Sequence, residues 1–157
     1  MLHFTPVTAE SMPLLRPYYE TCPYRLCEYS SGVKYMWRGH LRSEYAFTDG
    51  CLVICNCIDG VPQFDYPIPG PEGDVDAALT TIEDDCRRKG VRPIFSVVPE
   101  SEAGKLALRW PRVTITNERV WKDYLYHAED LAQFAGRHYS GQRNHINKLN
   151  KEHPDAS

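Results

Sequence analysis

Cationic and amide side chains gather near the end of the chain, between residues 137 and 153. The cations and histidines of this stretch are Arg137, His138, Arg143, His145, Lys148, Lys151 and His153. Guanidinium and ammonium groups are the side chains that bind phosphate and carboxylate. The stretch therefore indicates either a solvated basic helix or a site for a phosphate group or an RNA backbone, and the sequence leaves both interpretations open.

Arg143 is the most specific candidate of this group. Residues 139–150 predict a polar helix with a narrow apolar stripe formed by Tyr139, Ile146 and Leu149. Arg143 lies beside that stripe and is predicted to be partly desolvated. A partly desolvated guanidinium group forms its strongest hydrogen bonds to a carboxylate or phosphate. The predicted anion-binding or partner-binding residues are Arg137, Arg143, Asn144, His145 and Lys148.

Asp123 is a candidate of another kind. In the run WKDYLYH, alternation along a strand would place its carboxylate on the same face as Trp121 and Leu125. A half-buried carboxylate needs a partner, so Asp123 forms either a structural ion pair or a catalytic base with a pKa raised by burial. Asp123, Tyr139 and His145 are the catalytic candidates, because no Ser-His-Asp, Cys-His or paired-carboxylate spacing stands out elsewhere.

The six cysteines do not predict a metal site. Three of them share one face of the apolar run CLVICNC and the other three are scattered along the chain. No CxxC pair and no zinc-type Cys/His spacing occurs. We therefore expect buried, reduced thiols and no metal ligand set.

A Gly-rich loop, PIPGPEGD, precedes a predicted helix that begins after Asp74. Such a loop at a helix N-terminus can bind phosphate. Here Glu72, Asp74 and Asp76 surround the helix start and would repel an anion. We therefore predict a structural loop.

The rest of the chain predicts the scaffold that positions these groups. Asp49-Gly50 and Asp59-Gly60 each lie between β-rich runs and predict two hairpins, because type I′ turns need positive φ at both central residues. Further strands are predicted at residues 2–4, 93–98, 112–116 and 119–127, and TCPYRLCEYSSG is predicted to be irregular. The order β-α-βββ-α-β-α-ββ-α-α predicts an α/β (α+β) chain with a largely antiparallel central sheet and flanking helices.

Composition sets the broad class of the protein. With 157 residues, 42% of them hydrophobic and 25% charged, the chain is predicted to be globular. The net charge of -3 does not indicate general nucleic-acid binding, so any anion site must be local. No apolar run is long enough to span a membrane, and MLHFTPVTAES lacks the features of a signal peptide. We expect a cytoplasmic protein.

A family resemblance is carried mainly by the last third of the chain. Its residues are Asp123-Tyr124-Leu125-Tyr126, Asp130-Leu131, Gly136 and Arg143-Asn144-His145-Ile146-Asn147, with Trp37, Asp49-Gly50, Pro69-Gly70 and Gly73-Asp74 upstream. These residues resemble a bacterial family of unknown function related to the C-terminal part of phosphatidylglycerol lysyltransferases. The sequence departs from the family at Arg137-His138 and Gln142-Arg143, where the family has more lysine.

The resemblance implies a fold similar to the acyl-CoA N-acyltransferases of the Gcn5-related type. Family chains are about twice as long, so this chain is similar to their first half. The implied division is an acyltransferase-like domain over residues 1–137 and a polar C-terminal helix and tail over residues 138–157, which would lead into a second domain.

Cofactor and function follow from the same resemblance. Residues 133–138 partly match the loop that holds coenzyme A pyrophosphate, but helix termination by Gly136 also explains them. The full-length family would use an acyl-CoA or aminoacyl donor, and we expect no cofactor in this chain alone.

The resulting prediction is an acyltransferase-like domain, related to aminoacyl transfer, that is not catalytic alone. The alternative is a stand-alone protein-binding or inhibitor module that uses the C-terminal helix as its interface. The predicted partners are a second acyltransferase-like domain, a second copy of the chain or another protein. RNA contact through the basic tail is a further alternative.

Overall fold

The chain divides into two compact units, residues 1–117 and 118–157. The computed structural model describes residues 1–117, 119, 122–124 and 126–154. The sequence placed a division after residue 137, whereas the first compact unit ends at residue 117. Each unit is described by itself.

The first unit is built on a mostly antiparallel sheet. Its strands are β1 (Thr5–Pro6), β2 (Glu44–Thr48), β3 (Cys51–Ile58), β4 (Val61–Asp65), β5 (Ile68–Pro69) and β6 (Phe95–Val97). The strand order is β1-β2-β3-β4-β6, and β5 pairs with β3. Only the β4–β6 pairing is parallel among the described strands, and its register shifts between Phe64 and Asp65. The predicted fold class is confirmed.

Four helices belong to this unit: α1 (Met12–Glu20), α2 (Ser31–Trp37), α3 (Val75–Arg88) and α4 (Glu100–Arg109). Helix α3 begins where the sequence predicts, because the Asp74 carboxylate accepts a hydrogen bond from the Ala77 amide at 3.0 Å. Helix α2 was not predicted, and it follows a 3-10 turn at Cys27–Tyr29. Helix α4 has Pro99 at its N-cap.

Both predicted hairpins are confirmed. The turn between β2 and β3 has φ values of 50° at Asp49 and 71° at Gly50. The turn between β3 and β4 has 51° at Asp59 and 79° at Gly60. These are the left-handed conformations that a type I′ turn requires.

The core lies on both faces of the sheet. Leu52 and Ile54 pack in one buried cluster and Val53 in another, since successive side chains of β3 point to opposite faces. This double burial explains the continuous apolar run of β3. No cysteine forms a disulfide. Cys51 and Cys86 are buried and Cys22, Cys55 and Cys57 are partly buried, whereas Cys27 is exposed, so the prediction of a buried thiol is wrong for Cys27.

The strand predicted at residues 112–116 is not formed. Within the strand predicted at residues 119–127, the described residues 119, 122–124, 126 and 127 belong to no strand, and Val120, Trp121 and Leu125 lie outside the described residues. The first strand is also shifted, from the predicted residues 2–4 to Thr5–Pro6, where it pairs with β2. Strand propensity alone does not supply the neighbour that a strand must pair with.

The second unit contains α5 (Ala128–Gln133), a 3-10 turn at Arg137–Tyr139 and α6 (Ser140–Glu152). Neither helix has a buried residue. The run AEDLAQF predicts a core-facing side formed by Leu131, Phe134 and Ala135. This prediction is wrong, because Leu131 is 45% exposed, Ala135 is exposed and Phe134 is only half-buried. The polar helix starts one residue later than predicted and continues to Glu152.

Candidate functional site

The Arg143 guanidinium binds the backbone at the end of α5. Its Nη1 donates hydrogen bonds to the carbonyl oxygens of Phe134 and Gly136, the latter at 2.7 Å. Phe134 and Gly136 have φ values of 46° and 83° and terminate the helix. Carbonyls at a helix C-terminus lack helical partners and favour a nearby cation. The predicted partial burial of Arg143 is confirmed, and its partner in the structure is the chain's own backbone.

Tyr139 lies immediately before α6 and is half-buried. Its ring contacts Phe134 edge-on at a centroid distance of 5.6 Å and His138 at 5.0 Å. Such edge-to-face contacts fix the orientation of an aromatic ring. Tyr139 is therefore held by packing beside the carbonyls that Arg143 binds.

The other predicted binding residues lie on the surface of the second unit. Arg137, Asn144 and His145 are exposed, and the Lys148 ammonium lies 3.8 Å from the Glu152 carboxylate in an exposed ion pair. Exposed pairs of this kind contribute little to stability. The basic surface predicted from the sequence is thus accessible to a ligand or partner, and the binding roles of these residues stay predictions.

Asp123 is exposed rather than half-buried. The prediction that apolar neighbours bury this carboxylate is wrong for the residues described. Burial was the physical reason for a raised pKa, so the hypothesis of a catalytic base at Asp123 loses that support.

The loop before α3 is closed onto the β2–β3 turn by backbone hydrogen bonds. The Gly70 amide donates to the Gly50 carbonyl at 2.9 Å, and the Asp74 amide donates to the Asp49 carbonyl at 2.9 Å. Within the loop, the Gly73 amide donates to the Gly70 carbonyl at 3.0 Å. Three amides that could face a ligand are thus engaged inside the protein.

Three glycines make this closure feasible. A Cβ atom added at Gly73 would lie 2.8 Å from the Gly50 carbonyl oxygen, and one at Gly70 would lie 2.9 Å from the same atom. A Cβ at Gly50 would lie 2.9 Å from the Gly73 Cα. Close backbone approach therefore explains why this loop is rich in glycine.

This geometry does not fit the pyrophosphate of an acyl-CoA. A phosphate cradle needs free amides and a positive helix end. Here the Asp74 carboxylate already occupies the helix start, and Glu72 and Asp76 are exposed beside it. The partial motif at residues 133–138 instead directs carbonyl oxygens toward Arg143, so helix termination accounts for its glycine.

An open cleft of about 670 Å³ lies between the loop before α3 and the start of α4. Its polar lining includes Tyr24, Tyr66, Asp74, Asp76, Glu102 and Lys105. The Tyr66 hydroxyl donates to Glu102 at 3.1 Å, and the Lys105 ammonium lies 2.8 Å from the same carboxylate. The hydrogen bond from Lys105 lowers the pKa of Glu102. With three carboxylates and one ammonium, this cleft suits a cationic group better than an anionic one.

A fully buried polar network connects α2 to β4, and the sequence analysis did not identify it. The Lys34 ammonium lies 2.6 Å from the Asp65 carboxylate, and both residues are 3% exposed. Asn56 donates to the other Asp65 oxygen at 2.8 Å, and Ser43 donates to Asn56 at 2.7 Å. Burial raises the pKa of Asp65, and Lys34 opposes that rise. The only signal in the sequence was a charged residue at the end of the strand run VPQFD.

Two buried tyrosines lie near this network. The Tyr29 hydroxyl is within hydrogen-bonding distance of the carbonyls of Tyr66, at 3.3 Å, and Val97, at 3.1 Å. It thereby bridges the ends of β4 and β6. The Tyr19 hydroxyl is buried and has no hydrogen-bond partner within the described part of the chain.

Comparisons with known proteins agree with the resemblance found in the sequence. Residues 19–156 match the family described as phosphatidylglycerol lysyltransferase, C-terminal. No curated protein gives a significant match. A solved structure of a conserved protein of unknown function from Bacteroides thetaiotaomicron matches with a TM-score of 0.86 and 24% identity.

That likeness shows the fold alone. It covers 99% of this chain and 52% of the solved chain, so this chain spans about half the length of that protein. Among the described residues, no helix is long and apolar enough to cross a membrane.

Proposed function

Because the chain belongs to the family of the phosphatidylglycerol lysyltransferase C-terminal domain, we propose that it is an acyltransferase-like domain, related to aminoacyl transfer, that is not catalytic alone. In this role it acts together with a second acyltransferase-like domain. That domain would supply the donor site, whether the donor is an acyl-CoA or an aminoacyl group.

The closed loop before α3 is the observation that carries this proposal. Its amides at Gly70, Gly73 and Asp74 are bonded to backbone carbonyls, and its helix start holds a carboxylate. An anionic donor would have to break these bonds and overcome the repulsion of the neighbouring acids. The charge of the adjacent cleft supports the same proposal, because its carboxylates would repel the pyrophosphate of an acyl-CoA.

The experiment is calorimetric titration of the folded chain with acetyl-coenzyme A, with its mass in solution measured in parallel. We expect no binding at concentrations where micromolar affinity would be evident. Micromolar binding to a well-folded monomer would make the chain a working acyl-CoA domain and refute the proposal. Variants at Tyr139, Arg143 and His145 would then locate the site.

A second candidate function is a stand-alone protein-binding or inhibitor module that uses α6 as its interface. The observation in its favour is the apolar stripe of α6, where Ile146 is 41% exposed and Leu149 is 53% exposed. The probe is the purified second half of a longer family member, titrated against the chain. Ile146→Asp with Leu149→Asp should abolish binding, whereas Ser140→Asp, which lies in α6 outside the stripe, should preserve it. Equal binding by both variants would remove α6 as the interface.

RNA contact through the basic surface is tested separately. It requires an affinity that falls steeply with salt and is lost in Arg143→Ala together with Lys148→Ala. An affinity that is insensitive to salt would exclude it. The cytoplasmic location expected from the sequence is tested by cell fractionation.

A further inference from the structure

A second open cleft lies between β1 and the loop that joins α2 to β2. Its volume is about 430 Å³, which is within the range that suits a small ligand. Its lining includes Val7, Met36, Arg38, Arg42, Ser43 and Glu44. It shares no residue with the cleft near the start of α4 or with the loop before α3, so it is a separate feature of the first unit.

Arg38 is held against Tyr35 at the end of α2. Its guanidinium carbon lies 3.7 Å from the centre of the Tyr35 ring, and its Nη1 donates a hydrogen bond to the Tyr35 carbonyl oxygen. Arg38 is half-buried, and it forms no ion pair with a carboxylate of the described residues. A partly desolvated guanidinium with unused donors forms strong hydrogen bonds to an anion.

Arg42 supplies a second guanidinium to the same cleft. Its φ of 45° lies in the left-handed region, where a residue with a Cβ is strained and glycine is not. Arg42 is exposed, and within the described part of the chain it also has no carboxylate partner. Glycine would satisfy this backbone at lower cost, so the fold alone does not explain an arginine here.

The charge and shape of the cleft define the ligand that fits it. Two guanidinium groups and one carboxylate, that of Glu44, leave the lining with a net positive charge. Two planar forks offer more N–H donors than the two oxygens of a carboxylate can accept, whereas a phosphate group offers three oxygens. Met36, which is 71% exposed, and the buried Val7 add an apolar surface beside the arginines.

We propose that this cleft binds a small soluble molecule that carries a phosphate group and a short apolar part. Arg38 and Arg42 bind the phosphate, and Met36 contacts the apolar part. The proposal does not depend on the function proposed above, because the cleft includes no part of the loop before α3.

The experiment is titration of the whole chain with phenyl phosphate, followed by the NMR shifts of the backbone amides of residues 38–43. We expect saturable shifts with a dissociation constant on the order of 1 mM or lower. Arg42→Gly and Arg38→Met should each raise that constant at least about tenfold, because each removes charge-assisted hydrogen bonds. Glu44→Gln should lower it at least about twofold, because a charge that repels phosphate is removed.

The matched control is Arg92→Gly. Arg92 is exposed and lies just before β6, at the other end of the strand order from β1, so its loss should leave the dissociation constant nearly unchanged. Thermal unfolding monitored by circular dichroism checks that the variants fold. Arg42→Gly should be at least as stable as the parent chain, since glycine adopts this φ without strain.

Absence of saturable shifts would overturn the proposal. Shifts that persist in Arg42→Gly and Arg38→Met, or that weaken equally in Arg92→Gly, would also overturn it, because the phosphate would then bind elsewhere or respond to overall charge. A parallel titration uses vesicles of phosphatidylcholine with and without phosphatidic acid. Binding to the phosphatidic acid vesicles without binding of phenyl phosphate would refute a soluble ligand.

Discussion

Replacing Lys34 by methionine tests whether the buried ion pair controls the stability of the first unit. Methionine keeps most of the aliphatic stem of lysine and removes its charge. Asp65 would then be a carboxylate, 3% exposed, whose remaining polar contact is the hydrogen bond from Asn56 at 2.8 Å. Removing one partner of a buried ion pair costs about 3–5 kcal/mol, because the other charge stays desolvated.

This loss is large for a domain of ordinary stability, since total unfolding free energies are about 5–15 kcal/mol. It should also depend on pH. Burial raises the folded-state pKa of Asp65 above its unfolded value, so the native state binds more protons in the pH range between these two pKa values. The free energy of unfolding therefore falls as pH rises through this range. Lys34 lowers the pKa of Asp65, so removing the Lys34 charge raises the folded-state pKa and extends this pH range upward. The deficit of the variant should therefore shrink as the solution is acidified.

The assay is urea unfolding followed by circular dichroism between pH 5 and pH 8. The matched control is Lys34→Met with Asp65→Asn, which removes the buried charge and keeps an oxygen for the Asn56 bond. This double variant should recover most of the lost stability and lose the pH dependence. If Lys34→Met costs less than about 1 kcal/mol at pH 7.5, the Asp65 charge is not desolvated and the reasoning fails.

Three further predictions concern the loop, the tyrosines and the second unit. Gly73→Ala should destabilise the protein by about 1–3 kcal/mol in urea unfolding, because its Cβ would lie 2.8 Å from a backbone oxygen; Gly39→Ala, with nothing within 4 Å, is the control. Tyr29→Phe should cost about 1 kcal/mol, whereas Tyr19→Phe, which removes a buried hydroxyl without a described partner, should be neutral or stabilising. Arg143→Ala should speed amide exchange at the end of α5 about tenfold, and unchanged exchange would deny its capping role.

Local chemistry explains which elements were predictable. The Asp-Gly turns and the Asp74 cap depend on φ preferences and on contacts within three residues, so the sequence contains all of their causes. The continuous apolar run of β3 likewise predicts that both faces of this strand are buried, without identifying the elements that pack on them. The structural role predicted for the loop before α3 followed from its local acids, and the backbone hydrogen bonds of that loop support it.

Predictions that depended on distant neighbours were less secure. Residues 112–117 have a strand pattern, but a strand needs a partner that local preference does not provide. The helical pattern correctly predicts that Arg143 is partly buried. Only the structure shows that its Nη1 donates hydrogen bonds to the carbonyl oxygens at the end of α5.

By itself, the sequence determined the fold class, the family resemblance and the turns, because these depend on patterns and preferences that act over a few residues. The tertiary structure alone decided that Lys34 meets Asp65 and that the glycine loop closes onto the Asp49-Gly50 turn. Partners distant in the chain become neighbours only when the sheet and helices pack, so their hydrogen bonds and charges cannot be assigned from spacing along the chain.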